Sequence, residues 1–326
     1  MFVSGPSSGF HVPAAGALRV RPIPHEATAS YLNRLAHAYQ STTADLLDAL
    51  GITTTRAHTA GGGTATAELH LDAEARQRLA TLARTRPGDL SRALPNLARD
   101  PAAPPRSPEG GIMPHETSDP GAVATAAWQP RESGEQPVRA CPACTLRHTR
   151  GATDRAHVHP PPHQALCPRH HHWSLDDDTS LTTAALPELH QAQRHHQRLT
   201  RHPGAAPALS WAGAITTRWY DQQTHLATRW QRRLHHLADT NPHATPATMS
   251  WALYARELVT YPETITLART LATTHLPKQP RQGPAPQAHP AITAFLRHTA
   301  HQLHLERLAP PPGDLLWTWI HHTRTS

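Results

Sequence analysis

Apolar positions in the first hundred residues follow a helical period, and the pattern occurs twice. In residues 24–51, apolar side chains recur at three- and four-residue spacing around Leu35 and, after a break, around Leu47. Residues 78–95 align without a gap with residues 34–51, and 7 of the 18 aligned positions are identical. The pattern therefore predicts a duplicated helix–turn–helix unit.

The first residues of each second helix are candidates for contact with DNA. In a helix–turn–helix protein this helix enters the major groove and its first turn touches bases or phosphates. The candidate contacts are Thr42, Thr43, Arg84 and Arg86. Thr42 followed by Asp45 also predicts a helix cap. Simple helix packing is the alternative, and Asp45 and Asp48 would repel phosphates in the first copy.

The pattern changes after the second copy. Residues 98–137 are rich in proline and glycine and show little apolar periodicity, which predicts a linker. The predicted division is a flexible amino terminus (1–17), two helix–turn–helix-like repeats (18–97), this linker (98–137), a module at 138–178, a basic helical domain (179–275), a second proline-rich linker (276–290) and carboxyl-terminal helices (291–326). The module at 138–178 contains Cys141, Cys144, Cys167 and His170 at the spacing of zinc ligands, so it is predicted to be a zinc-finger module.

The pattern of apolar positions in the carboxyl-terminal half predicts a helical bundle. Residues 186–202 form a predicted basic helix, and apolar positions between Ile215 and Leu237 mark one amphipathic helix whose other faces carry arginines such as Arg233. Pro262 is expected in the first turn of a later helix. The fold class is therefore mainly α, with duplicated helix–turn–helix units, a small zinc-finger module and a carboxyl-terminal helical bundle.

All three cysteines of the chain fall in one short stretch. Cys141 and Cys144 form a C-x2-C pair, and Cys167 and His170 form a C-x2-H pair after 22 intervening residues. Two close pairs of sulfur and nitrogen ligands separated by such a loop are typical of a closed tetrahedral zinc site. The sequence predicts one structural zinc ion. His171 or His172 could replace His170, because three histidines are consecutive.

Other interpretations of the cysteines agree less well with the sequence than a structural zinc site does. A redox C-x-x-C pair belongs at the start of a helix in a βαβ unit, which the pattern does not predict here. A four-ligand site has no open position for water, and the chain contains neither a phosphate-cradling glycine-rich loop nor an H-E-x-x-H motif. We therefore expect no enzymatic activity.

The charge distribution favours an anionic partner. The chain carries 31 basic and 24 acidic residues, for a net charge of +7, and the surplus is concentrated in residues 138–236. The alternative is the arginine content that a GC-rich genome imposes on any protein. The arginines of this segment that are candidates for phosphate contact are Arg147, Arg150, Arg155, Arg169, Arg194 and Arg198.

The expected compartment follows from the lack of an export signal and of a membrane-spanning apolar run in the sequence. The first residues show no basic and apolar export signal, and no apolar run is long enough to cross a membrane. An odd number of cysteines gives no support to a disulfide framework. The expectation is a cytoplasmic protein without a membrane partner, and no pattern sets its oligomeric state.

Three segments resemble the TniQ family, whose members include target-selection proteins of transposons. They are the opening RPIPHEATASYLNRLAHAY, the helical DLLDALG and DLSRALPNL, and VRACPAC followed by CPRHHHW. The resemblance covers about residues 18–175 and implies a mostly helical zinc protein recruited to DNA or to a DNA-bound complex. Family members often carry a second cysteine pair, for which this chain has no cysteines.

The function expected from these features is DNA binding, either in target-site selection for transposition or as a DNA-associated regulator. The partners expected are DNA and a transposition complex or another DNA-bound protein complex. The alternative is a protein–protein adaptor in which the zinc site only braces the scaffold.

Overall fold

The chain was analysed as a computed structural model. The structure describes residues 15–55, 67–98, 123–130, 137–174, 180–242, 250–277 and 289–325. These residues are mostly helical, with three small sheets, and they divide into two compact units. The amino-terminal unit contains the described residues up to Pro160, and the carboxyl-terminal unit contains those from Pro161 onward.

The amino-terminal unit combines five short helices with a three-stranded sheet and a hairpin. Its elements are α1 (Thr28–Ala38), α2 (Thr43–Ala49), β1 (Ile52–Thr55), β2 (Ala67–Leu71), α3 (Ala73–Leu82), α4 (Pro87–Ala93), β3 (Ala124–Pro130), β4 (Val138–Arg139), α5 (Pro142–His148) and β5 (His157–Val158). Its main core buries apolar side chains of the helices, such as Leu35 and Leu79, together with Leu69 of the sheet.

Local signals define where these helices begin and end. The Thr42 hydroxyl accepts a hydrogen bond from the Asp45 backbone N–H at 3.1 Å, and the Asp45 carboxylate accepts one in return from the Thr42 N–H, so the predicted cap of α2 is present. Gly51 follows α2 with φ of +64°, a conformation that glycine adopts without steric cost. Asp72 caps α3 and also accepts from the backbone of Thr125 in β3.

Strand β3 corrects the predicted linker. It lies in the centre of the sheet, parallel to β1 and antiparallel to β2, so residues 124–130 are part of the core and not a connection. Ala124 and Ala126 face the core while Thr125 is exposed, which is the alternation of a one-sided sheet. Most of the remaining predicted linker lies outside the described residues, as do residues 1–14 of the predicted flexible amino terminus.

The two repeated segments do form helix pairs, α1 with α2 and α3 with α4. Helix–turn–helix units are not confirmed, however, because both second helices contain only seven residues and the two pairs share one core with a sheet. The sheet was missed because β1 and β3 are short and rich in alanine and threonine, so that they show little apolar alternation.

The carboxyl-terminal unit contains a small hairpin and a helical assembly. Its elements are β6 (His172–Ser174), β7 (Ser180–Thr182), α6 (Pro187–Leu199), α7 (Ala205–Asp221), α8 (Ala227–Thr240), α9 (Ser250–Tyr254), α10 (Arg256–Thr273), α11 (Pro290–Gln302) and α12 (Leu315–Thr325). Helix α10 packs against α6, α7, α8 and α11, so it lies at the centre of this unit.

Two helix predictions in this unit were wrong. The amphipathic run from Ile215 to Leu237 is two helices, because the chain turns between α7 and α8 with Gln223 and His225 at positive φ. Pro262 lies inside α10 and not in its first turn. Tertiary packing on several sides of α10 stabilises a helix that local sequence rules would end at this proline.

An ion cluster is buried beside α10, and it corrects the expected exposure of Arg233. The Arg233 guanidinium makes two hydrogen bonds to Glu263, at 2.6 and 2.9 Å, and only 6% of Arg233 is exposed. The indole N–H of Trp230 and one guanidinium nitrogen of Arg229 also donate to Glu263. A charge in the apolar interior needs such partners, and here the partner is supplied by α10.

None of the helices in the described part of the chain is both long and apolar enough to span a bilayer.

Candidate metal centre

The first pair of predicted ligands lies at the start of α5. Cys141 is the residue before the helix and Pro142 occupies its first position, where a missing backbone N–H costs nothing. The backbone N–H and the hydroxyl of Thr145 both donate to the Cys141 carbonyl, at 2.9 and 3.1 Å. Cys144 follows one helical turn later, and residues three apart lie on the same side of a helix. Both thiols are therefore placed by the first turn of α5.

A hairpin fixes this pair to helix α1. Strands β4 and β5 flank the cysteines and pair antiparallel. The backbone N–H of Ala27 donates to the His157 carbonyl at 2.9 Å, and that of His159 donates to the His25 carbonyl at 2.7 Å. The N–H of His157 donates to the Ser30 hydroxyl at 2.9 Å. The segment that carries two ligands is thus hydrogen bonded to the chain that starts α1.

Glu26 organises the start of α1, and this role was not predicted. Its carboxylate is fully buried and accepts hydrogen bonds from the Ile23 N–H at 2.9 Å, from the Ser30 hydroxyl at 3.1 Å and from Arg34 at 2.8 and 2.7 Å. Glu26 also forms a backbone bridge with Val158 of β5. The glutamate of the sequence opening therefore connects α1 with the hairpin.

A second buried carboxylate lies close by. Glu68 of β2 is 3% exposed and accepts from the Ala29 N–H at 3.3 Å and from the Asn96 side chain at 3.3 Å. The His159 ring lies 3.2 Å from the same carboxylate. Sequence reasoning missed this group, because Ala29, Asn96 and His159 are distant from Glu68 along the chain and only the fold brings them together.

The second pair of ligands lies on a tight turn before β6. The N–H of Cys167 donates to the His172 carbonyl at 2.8 Å, and the N–H of His171 donates to the Cys167 carbonyl at 3.0 Å. Leu166 and Trp173 form a bridge at the base of this turn, and both are buried. The turn places Nδ1 of His170 at 3.7 Å from Sγ of Cys167.

Of the three consecutive histidines, His170 is the one that joins the cysteines. The His171 ring packs on His190, with ring centroids 4.0 Å apart. Nδ1 of His172 lies 3.3 Å from the Ser180 hydroxyl, and burial is the main cause that lowers the pKa of His172 below its ordinary value. Of the three histidines that the sequence left open as the fourth ligand, the structure therefore brings His170 to the cysteines.

The four residues offer a compact donor set. One ligand atom from each of Cys141, Cys144, Cys167 and His170 lies within 4.8 Å of the others, and all four residues are partly buried. In a tetrahedral zinc site, bond lengths of about 2.0–2.3 Å bring neighbouring ligand atoms to roughly 3.5–3.8 Å. The donors therefore need to move by about an ångström at most. This group could hold one metal ion.

The predicted nucleic-acid contacts lie on several elements of the two units. The Thr42 hydroxyl accepts from the Asp45 N–H and so caps α2. It also donates to the Asp45 carboxylate at 2.7 Å, which lowers the pKa of Asp45. Thr43 is half-buried. The eight arginines that the sequence proposed as contacts are all exposed. Those of the amino-terminal unit are Arg84 and Arg86 between α3 and α4, Arg147 in α5, and Arg150 and Arg155 between α5 and β5. Those of the carboxyl-terminal unit are Arg169, between the ligands of the second pair, and Arg194 and Arg198 on α6.

Comparison with known proteins adds one match. Residues 17–173 match the family model described as TniQ. This range contains α1–α5, β1–β5 and all four candidate ligands. No curated protein and no solved structure matches the chain.

Proposed function

Because residues 17–173 belong to the TniQ family, we propose that this chain is a zinc protein that binds DNA and acts in target-site selection for transposition, or as a DNA-associated regulator. The observation that carries the proposal is the cluster of three thiols and one imidazole within that range. In the family, target selection places such proteins on DNA or on a DNA-bound complex.

The chemistry of the donor set supports zinc in a structural role. Thiolate and imidazole ligands suit Zn²⁺, and Cys3His is a common structural set. Four protein ligands fill a tetrahedral site and leave no position for a water molecule or a substrate. We therefore propose one structural ion and no catalytic role. Its binding energy would contribute directly to folding of the segments that carry the ligands.

Free positive charge beside the first ligand pair supports contact with DNA. Arg147, Arg150 and Arg155 are exposed and form no ion pair with another described residue. By contrast, Arg139 of the same module pairs with Asp154 at 3.2 Å. Exposed and unpaired guanidinium groups are suited to bidentate contact with phosphates. The proposal assigns these three arginines to the DNA backbone.

Salt dependence of DNA binding tests this assignment. Fluorescence anisotropy of a labelled duplex should give an affinity that falls steeply with salt. The triple variant Arg147→Gln, Arg150→Gln, Arg155→Gln should reduce the slope of log affinity against log salt by about 2.7, at roughly 0.9 per phosphate contact.

A triple variant of equal charge loss provides the control: Arg92→Gln, Arg232→Gln, Arg307→Gln, all at exposed positions. It should change the slope much less. Equal effects of the two triple variants would show that only net charge matters, and the assignment would be wrong. A flat salt response of the natural chain would remove the DNA-binding proposal itself.

A protein-binding role for the first helix pair is the second candidate. Asp45 and Asp48 of α2 are both exposed, and the Thr42 hydroxyl is already bonded to Asp45. Negative charge at these positions opposes phosphate contact. Affinity capture with and without nuclease separates the two roles: partners retained after nuclease treatment and lost in Asp48→Arg would favour the adaptor.

A further inference from the structure

A basic cleft opens on the surface of the carboxyl-terminal unit. It has a volume of about 390 Å³ and is lined by α6, α10, α11 and the residue His202 that follows α6. None of its lining residues carries a carboxylate. The hydroxyls of the three lining threonines already donate to backbone carbonyls. The other lining residues that can donate hydrogen bonds to a ligand are His195, Arg198, His202, Arg269, His298 and Gln302.

The two arginines of the cleft differ from the arginines of this unit that form ion pairs. Arg233 is neutralised by Glu263, and Arg256 pairs with Asp221 at 3.2 Å. Arg198 and Arg269 are exposed, and neither forms an ion pair with another described residue. The lining therefore concentrates positive charge that the described part of the chain does not compensate.

The hydrogen bonds of two histidines fix which ring nitrogen donates. Nδ1 of His195 lies 3.2 Å from a guanidinium nitrogen of Arg269, and a guanidinium can only donate. Nδ1 of His202 accepts from the backbone N–H of Gly204 at 3.2 Å. In a neutral imidazole the other nitrogen then carries the hydrogen. Both histidines therefore hold Nε2–H as a free donor, and the His195 ring also orients Arg269.

The electrostatic state of His195 agrees with this picture. Burial lowers the pKa of His195, and Arg269, Arg198 and Arg194 lower it further. The imidazole therefore experiences a positive potential from its surroundings. The same potential attracts an anion.

We propose that this cleft is a binding site for a phosphate group, held by Arg198 and Arg269 with the histidine Nε2–H groups as additional donors. Guanidinium groups bind phosphate oxygens through short charge-assisted hydrogen bonds. The volume lies at the lower end of the range for small-molecule sites, about 300–1,000 Å³, so a group attached to the phosphate also fits. The phosphate belongs either to a nucleic-acid backbone or to a small free compound.

Binding measurements on the full chain distinguish the two sources. Inorganic pyrophosphate is titrated by calorimetry, and a short duplex DNA is titrated by anisotropy over a range of salt. The cleft variant is Arg198→Gln with Arg269→Gln, and the control is Arg232→Gln with Arg307→Gln, which removes equal charge from exposed positions outside the cleft. Circular dichroism checks that each variant keeps the native fold, as exposed substitutions should.

Pyrophosphate binding that weakens at least about tenfold in the cleft variant alone supports a free phosphate compound. A salt slope for DNA that falls by about 1.8 in the cleft variant alone supports the nucleic-acid backbone. If pyrophosphate does not bind and the two variants affect DNA equally, the cleft is no phosphate site. Pyrophosphate binding by a chain that binds no DNA would refute the proposed function and leave the cleft assignment standing.

Discussion

Replacing Glu26 by glutamine is expected to destabilise the amino-terminal unit strongly. Each carboxylate oxygen accepts two hydrogen bonds: Ile23 and Arg34 donate to one, and Ser30 and Arg34 donate to the other. An amide presents only one acceptor oxygen, so its NH2 group would face two donors whichever way it turns. Arg34, whose side chain is 8% exposed, would then keep its charge without a counterion. Breaking such a buried pair costs about 3–5 kcal/mol.

That cost is large enough to measure by thermal unfolding. For a unit of this size about 1 kcal/mol shifts the melting temperature by roughly 2–4 °C, so the variant should melt about 6–20 °C lower. Faster hydrogen exchange of peptides from α1 in the variant would assign the loss of stability to this unit. Asp89→Asn is the control, because its partner Arg92 is exposed and such surface pairs contribute at most about 1 kcal/mol.

A second variant separates the lost charge pair from lost packing. Glu26→Leu with Arg34→Met removes both charges and keeps similar volume, so its stability should lie above that of Glu26→Gln. If Glu26→Gln has the same melting temperature as Asp89→Asn, the account of the start of α1 is wrong. The same conclusion follows if the double substitution is the least stable of the three.

Two further predictions concern the carboxyl-terminal unit. Burial, with a neighbouring histidine, lowers the pKa of His196 from 6.5 to about 4. Its neutral form therefore contributes stability that is fully present above pH 6.5 and lost as pH falls to about 4. His196→Gln should flatten this part of the stability–pH curve measured by hydrogen exchange, whereas the exposed control His235→Gln should not. Glu263→Gln removes the buried carboxylate that accepts two hydrogen bonds from Arg233 and leaves the half-buried Glu188 as its remaining carboxylate partner, so it should cost about 1.5–3 kcal/mol in denaturant unfolding. An equal effect of Glu257→Gln, exposed on the same helix, would refute the role of the ion cluster.

The candidate metal ligands and some helix ends could be predicted because their signals are local. Cys141 and Cys144 are three residues apart, and so are Cys167 and His170. The Thr42 cap likewise depends on residues within one turn. Such short-range geometry follows from the backbone alone, and the structure shows it at these positions.

The features that sequence reasoning missed depend on distant partners. Strand β3 is short and rich in alanine, and it becomes a central strand only through pairing with β1 and β2, more than 50 positions earlier. Arg233 resembles a solvated residue until Glu263, 30 residues later, is placed beside it. Pro262 ends a helix by local rules, yet packing around α10 overrides them. In each case the deciding contact is made by the fold.

Metal analysis of the purified full chain tests the central claim most directly. Inductively coupled plasma mass spectrometry should find one zinc per chain, and Cys144→Ser and Cys167→Ser should each lose most of the metal and melt at a lower temperature. His148 is an exposed histidine in the same helix as Cys144, and the variant His148→Gln should keep both the bound zinc and the melting temperature of the natural chain. A chain purified without stoichiometric zinc, or serine variants that melt as the natural chain does, would contradict the account.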